Sequence, residues 1–134
     1  MLTVINPATE EVLRELEEDD GNSVQQKTAA ARGAQPGWAA TPLADRLRAV
    51  RDFGVLLANR RDALAELLTS EMGKPIRQAK SELTAMQGRI DFFLEHTASA
   101  VAEETLVQAG APSGVGEQIS YEPLGLVANI SAWN

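Results

Sequence analysis

From Ile76 onward apolar residues recur every three or four positions: Ile76, Ala79, Leu83, Met86, Ile90, Phe93, Thr97 and Val101 mark one face over about seven helical turns. This is the longest element the sequence predicts, and Pro75 is suited to its start. The same spacing satisfies a heptad. Fewer than four heptads are present, however, and Ala79 and Thr97 are weak seam residues for a two-stranded zipper, so the pattern favours burial on the chain's own core.

Three further helices precede it. Ser23 with Gln26 three residues later forms a capping box, which predicts a helix over 24–35 carrying Ala29, Ala30, Ala31 and Ala34 and ended by Pro36-Gly37. Thr41-Pro42 reads as the cap and first residue of the next, with Leu43, Leu47, Val50, Phe53 or Gly54, and Leu57 along one face. Asn59 allows a break. The pattern resumes from Asp62 to Met72 with Leu64, Leu67 and Leu68 apolar, and Gly73 offers the left-handed residue that closes a helix.

Strand patterns lie at the two ends. Thr3-Val4-Ile5 and Glu11-Val12-Leu13, around the Asn6-Pro7 turn, read as two short edge strands, although Val12, Leu13 and Leu16 also suit a short helix. After the loop Gly110 to Gly116, Gln118 to Glu122 alternates as a strand and Pro123 ends it. Gly125 to Ile130 is apolar on both faces apart from Asn129, the pattern of a parallel strand covered by helices. Such sheets bind ligands beyond the strand's carboxyl end, where Trp133 and Asn134 stand.

At 134 residues, with 44% hydrophobic and 23% charged residues, the composition is globular, and no apolar stretch approaches the roughly 18 residues of a membrane span. The first residues have neither a basic region nor a long apolar core, so the expected compartment is the cytoplasm. Twelve Lys and Arg against nineteen Asp and Glu give a net charge of -7, which argues against nucleic acid as a partner. The acidic run Glu15 to Asp20 reads as a solvated turn before Gly21. There is no cysteine, so this chain contains no thiolate nucleophile, thiolate metal site or disulfide.

Candidate chemistry is sparse. His96 is the lone histidine and has no second His or Cys to share a metal, so no metal site is expected. The glycines of 110–116 precede a strand instead of joining strand to helix, and no Gly-Lys-Ser/Thr follows, which excludes a phosphate loop of that type. Glu103 and Glu104, read as adjacent helical residues, would point about 100° apart and face solvent.

Five segments read in order resemble the N-terminal part of the aldehyde dehydrogenase superfamily. They are Asn6-Pro7-Ala8-Thr9; Trp38 before Thr41-Pro42-Leu43-Ala44-Asp45-Arg46; Glu71-Met72-Gly73-Lys74-Pro75; Glu122-Pro123-Leu124-Gly125; and Ile130-Ser131-Ala132-Trp133-Asn134. The resemblance covers essentially all of this chain and about the first quarter to third of a family member. It implies an α/β fold, of which this is the N-terminal fragment of a cofactor domain, mostly helical, with edge strands and one parallel-sheet strand at the C-terminus. It divides the chain into 1–116, flanking the cofactor domain; 117–124, a strand near the oligomerisation region; and 125–134, the first cofactor-domain strand.

The implied activity is oxidation of an aldehyde to a carboxylic acid, or in some members an acyl-CoA, with NAD or NADP. A cysteine thiolate and a glutamate base carry that chemistry on segments further along the family's chain. Asn134 matches the asparagine whose amide donates to the oxyanion, and Ile130, Ser131, Ala132 and Trp133 match the segment lying along the cofactor. Many members have proline where Ala132 stands, which weakens assignment to a subfamily. Glu71 to Pro75 reads as structural, with Lys74 solvated. The resemblance also implies a homodimer or homotetramer for the complete protein. The competing expectation is a stand-alone helical binding module without catalysis.

Overall fold

The computed structural model describes residues 1–108, 112 and 114–131. In chain order the elements are β1 (Leu2–Ile5), β2 (Val12–Leu16), α1 (Gly21–Ala40), α2 (Leu43–Asn59), α3 (Arg61–Met72), α4 (Ile76–Ala100), β3 (Glu104–Val107) and β4 (Glu117–Ile119). Helices α2 and α3 both pack on α4, and each pair of strands forms its own antiparallel ribbon.

Small residues set the helix packing. Gly54 is buried on α2, and a Cβ there would lie 3.2 Å from both Gln87 Nε2 and Ile90 Cγ2 of α4. Of the two alternatives the sequence leaves for this face, Gly54 points inward and Phe53 is exposed. Ala65 of α3 and Ala79 of α4 are the buried apolar pair at the other contact. On α4, Ala79, Leu83, Ile90 and Thr97 turn inward as the periodicity predicts. Gln87 and Leu94 complete that face, while Ile76, Met86, Phe93 and Val101 are exposed.

Gly73 ends α3 in the left-handed conformation, φ +68, and its N–H bonds to the Thr69 carbonyl at 2.8 Å. A side chain would be strained there, and its Cβ would come within 2.9 Å of Pro7 Cγ. The Asn6-Pro7 turn therefore rests on the α3–α4 junction. Asn6 shapes that turn: its Oδ1 accepts from Ala8 N–H at 2.9 Å, and its backbone exchanges bonds with Glu10 and Glu11. Lys74, expected to be solvated, instead pairs with Glu82, leaving its side chain only 20% exposed.

Three other expectations change. Helix α1 is longer than predicted at both ends. Asp20, not Ser23, is its cap, accepting from Ser23 N–H at 2.7 Å, and Pro36 lies inside the helix. An aspartate three residues earlier competes successfully for the same role, and the alanines on both sides of Pro36 carry the helix past one missing backbone donor. Asp19 also acts in this turn, bonding Lys27 at 2.6 Å. Bonds from Lys27 to Asp19 and from Ser23 to Asp20 hold both carboxyls below their usual pKa.

The helix expected to include Glu103 and Glu104 ends at Ala100, and Glu104 opens β3. That strand pairs with β4, Glu104 opposite Ile119, Thr105 opposite Gln118 and Val107 opposite Glu117, with Leu106 at an irregularity between the last two. Finally, Gly125 to Ile130 forms no strand. A strand needs at least one hydrogen-bonded neighbour, and among the described residues none lies beside it.

The accessible surface is 10826 Å², whereas a compact monomer of 14.4 kDa exposes about 6,800 Å². Only Gly54, Ala65 and Ala79 are buried among the described residues. So little core cannot offset the entropy of ordering the chain in one cooperative step. The purified chain is expected to lose helicity over a broad thermal range and to self-associate, read by circular dichroism and light scattering. A sharp melt that coincides by several probes, with a monomeric mass, would overturn this.

Candidate functional site

The segment from Tyr121 to Ser131 leads into the residues expected to act. It leaves β4 and is anchored first at Tyr121, whose hydroxyl donates to Glu104 Oε1 at 2.9 Å. That bond, together with the carboxylate's charge, pushes the phenol pKa above its ordinary value. Pairing of β3 with β4 brings the two side chains together. Behind them, Arg46, Thr97, Val101, Tyr121 and Glu122 line a cavity of about 190 Å³ between the start of α2, the end of α4 and this segment.

Beyond Pro123 the backbone turns at Gly125, φ +92, and runs irregularly. Leu126, Val127 and Ala128 lie across α1, sharing a cavity of about 420 Å³ with Lys27, Thr28, Ala31 and Arg32. Leu124 and Ile130 are 94% and 95% exposed. Ser131 Oγ donates to Asn129 Oδ1 at 3.1 Å. Of the predicted cofactor residues, Ile130 and Ser131 are thus adjacent at an exposed end, one apolar and one hydroxylic. Ala132, Trp133 and the predicted catalytic Asn134 lie outside the described residues. The described part of the segment, 121–131, carries no Lys or Arg.

Other sites are structural in character. A shallow cavity of about 640 Å³ lies between α3 and α4, with Arg61, Arg77 and Lys80 on its rim. Asp62 takes up two of these charges, from Lys80 at 3.2 Å and Arg61 at 3.4 Å, and Lys80 is the main cause of its lowered pKa. Neither Ile130 nor Ser131 lines it. His96 stacks edge-on against Phe92, ring centroids 4.4 Å apart, and the described residues contain no group of three metal-ligating side chains. No helix among them is long and apolar enough to cross a membrane.

Sequence reasoning missed Arg46 and the Tyr121–Glu104 bond. The bond was hidden by reading Glu104 as helical; the β-branched Thr105 and Val107 were the available signal for a strand. Arg46 stood in a recognised segment, but nothing in helical periodicity separates it from Arg48, which pairs with Asp45 at 2.8 Å on the surface.

Two of the four helices, α2 and α3, pack on the long α4, two antiparallel ribbons accompany them, and an exposed apolar segment follows. The chain belongs to the aldehyde dehydrogenase family, whose model matches residues 1–134. It is 35% identical over 133 residues to a 3,6-anhydro-alpha-L-galactose dehydrogenase of Vibrio sp. (strain EJY3), covering 98% of this chain and 27% of that protein. It is 34% identical over 131 residues to a succinate semialdehyde dehydrogenase, NAD(P)+, of Escherichia coli (strain K12), covering 97% and 27%. The solved succinate-semialdehyde dehydrogenase of Burkholderia pseudomallei superposes with a TM-score of 0.73 at 31% identity, over 82% of this chain and 23% of that one. The chain therefore spans about a quarter of the length of the relatives it matches.

Proposed function

We propose that these residues are the N-terminal quarter of an NAD(P)-dependent aldehyde dehydrogenase that oxidises an aldehyde to a carboxylic acid. The observation that carries this reading is similarity along nearly the whole chain to dehydrogenases whose names specify aldehyde or semialdehyde oxidation. In it, residues 1–116 flank the cofactor domain, 117–124 serve subunit association in a homodimer or homotetramer, and 125–134 become the first cofactor-domain strand once neighbouring strands pair with it. Ile130, Ser131, Ala132 and Trp133 form one wall for NAD or NADP, which accepts hydride when bound. Asn134 donates its amide to the oxyanion that forms when a cysteine thiolate, supplied from elsewhere in the complete enzyme, adds to the carbonyl.

A chimera tests this. Residues 1–134 replace the corresponding quarter of the E. coli relative, and the expected result is saturable, aldehyde-dependent production of NADH or NADPH. A chimera that folds and assembles but oxidises no aldehyde would sink the proposal. A second reading, a binding module without catalysis, draws on the exposed apolar residues Leu124, Val127 and Ile130. It requires a chimera of this kind to be inactive.

A further inference from the structure

Arg46 presents an unusual problem for a charged residue near the start of a helix. Its Nε is buried and has no hydrogen-bond partner. A buried donor left without an acceptor is costly, and such groups in native proteins ordinarily have a partner or a purpose. Neighbouring Arg48 shows that nearby arginines on this helix can be satisfied at the surface. Arg46 instead lines the 190 Å³ cavity, and the carboxylate on that cavity's wall belongs to Glu122. The other nearby carboxylate, Glu104, already accepts from Tyr121.

We propose that Arg46 is a positioning residue: it seats Glu122 by a side-on, two-bond ion pair through Nε and one terminal nitrogen, latching the 121–123 segment to α2. The free Nε is the donor such a fork requires, and only arginine offers two parallel N–H groups in that plane. Closure moves Glu122 into existing space, so neither helix has to shift. The latch and the Tyr121–Glu104 bond then hold the segment at two consecutive residues. Pro123, next in sequence, restricts Glu122 to extended backbone and so narrows the directions in which the following strand can leave.

The consequence for catalysis rests on the proposed dehydrogenase reading: the latch fixes the point from which the strand towards Asn134 departs. The ion pair itself does not depend on that reading, and its test needs neither aldehyde nor cofactor. In the 134-residue chain, hydrogen exchange and limited proteolysis of residues 121–124 are compared for Arg46→Gln, Glu122→Gln, the double variant and the charge swap R46E/E122R. Each single variant is expected to raise exchange about 5- to 10-fold, as loss of a charge-assisted bond does. The double variant should be no looser than either single variant, and the swap should recover part of the protection.

Additive effects of the two single variants would overturn the proposal, as would loosening by R46Q with no change in E122Q. Glu122 is exposed, so E122Q leaves the helices intact even where Arg46→Gln perturbs them. Arg46→Lys is a further discriminator. Retained charge with one nitrogen should restore protection only in part, whereas full restoration would show that the two-bond fork is not used.

Discussion

The purified 134-residue chain is expected to give no saturable, aldehyde-dependent formation of NADH or NADPH at any pH. Hydride can leave an aldehyde carbon readily only after a nucleophile has added and raised electron density on that carbon. In the proposed mechanism that nucleophile is a thiolate, and the chain contains no cysteine. Neither of its nearest substitutes is placed for the task. His96 is occupied in an edge-on contact with Phe92, and Tyr121 is bonded to Glu104, which raises the pKa of its phenol and disfavours phenolate. Absorbance at the reduced nicotinamide band, followed with several aldehydes and both cofactors, checks this. Saturable turnover by homogeneous chain would contradict it.

Within the chimera, Asn134→Ala is expected to lower kcat by about 10²- to 10³-fold, with a much smaller effect on KM. The amide is a neutral donor aimed at charge that exists only after addition, so its loss removes stabilisation of the transition state and little of the ground state. Asn134→Asp should be at least as damaging, because a carboxylate opposes the same developing charge. Steady-state kinetics across aldehyde concentration separate the two parameters. If kcat were retained and KM rose, Asn134 would be a substrate-binding residue and its proposed role would be wrong.

Much of the helical fold was legible because it rests on local rules. Gly73 declared its left-handed cap, and the spacing of Ala79, Leu83, Ile90 and Thr97 gave the inward face of α4. Errors arose where two local signals competed. Ser23 looked like a cap, but Asp20 took that place; Pro36-Gly37 looked like a stop, but the surrounding helix absorbed it. Phe93 and Met86 satisfied the apolar period yet remain exposed, since periodicity identifies a face without naming the surface that covers it.

The candidate site was legible differently. The pattern of Gly125 to Ile130 describes a strand, but pattern specifies only the character of the neighbours a strand requires and cannot supply them. In their absence among the described residues, the segment runs irregularly across α1. The identity of the family came from ordered short segments, none of which reports its own geometry. Arg46 could be noticed only when its unpartnered nitrogen and Glu122 were seen on the walls of one cavity.

The contact between Pro7 and Gly73 also has a temporal side. The α3–α4 pairing joins helices adjacent in the chain and the α2–α4 pairing spans a single intervening helix, so both can form early as the polypeptide emerges from the ribosome. The β1–β2 ribbon is synthesised before the junction against which its turn rests, Gly73 following Pro7 by 66 residues. At about 5–20 residues per second the ribbon waits roughly 3–13 s for that junction to be made. A two-stranded ribbon is marginal by itself, so it is expected to settle only once the α3–α4 junction has formed.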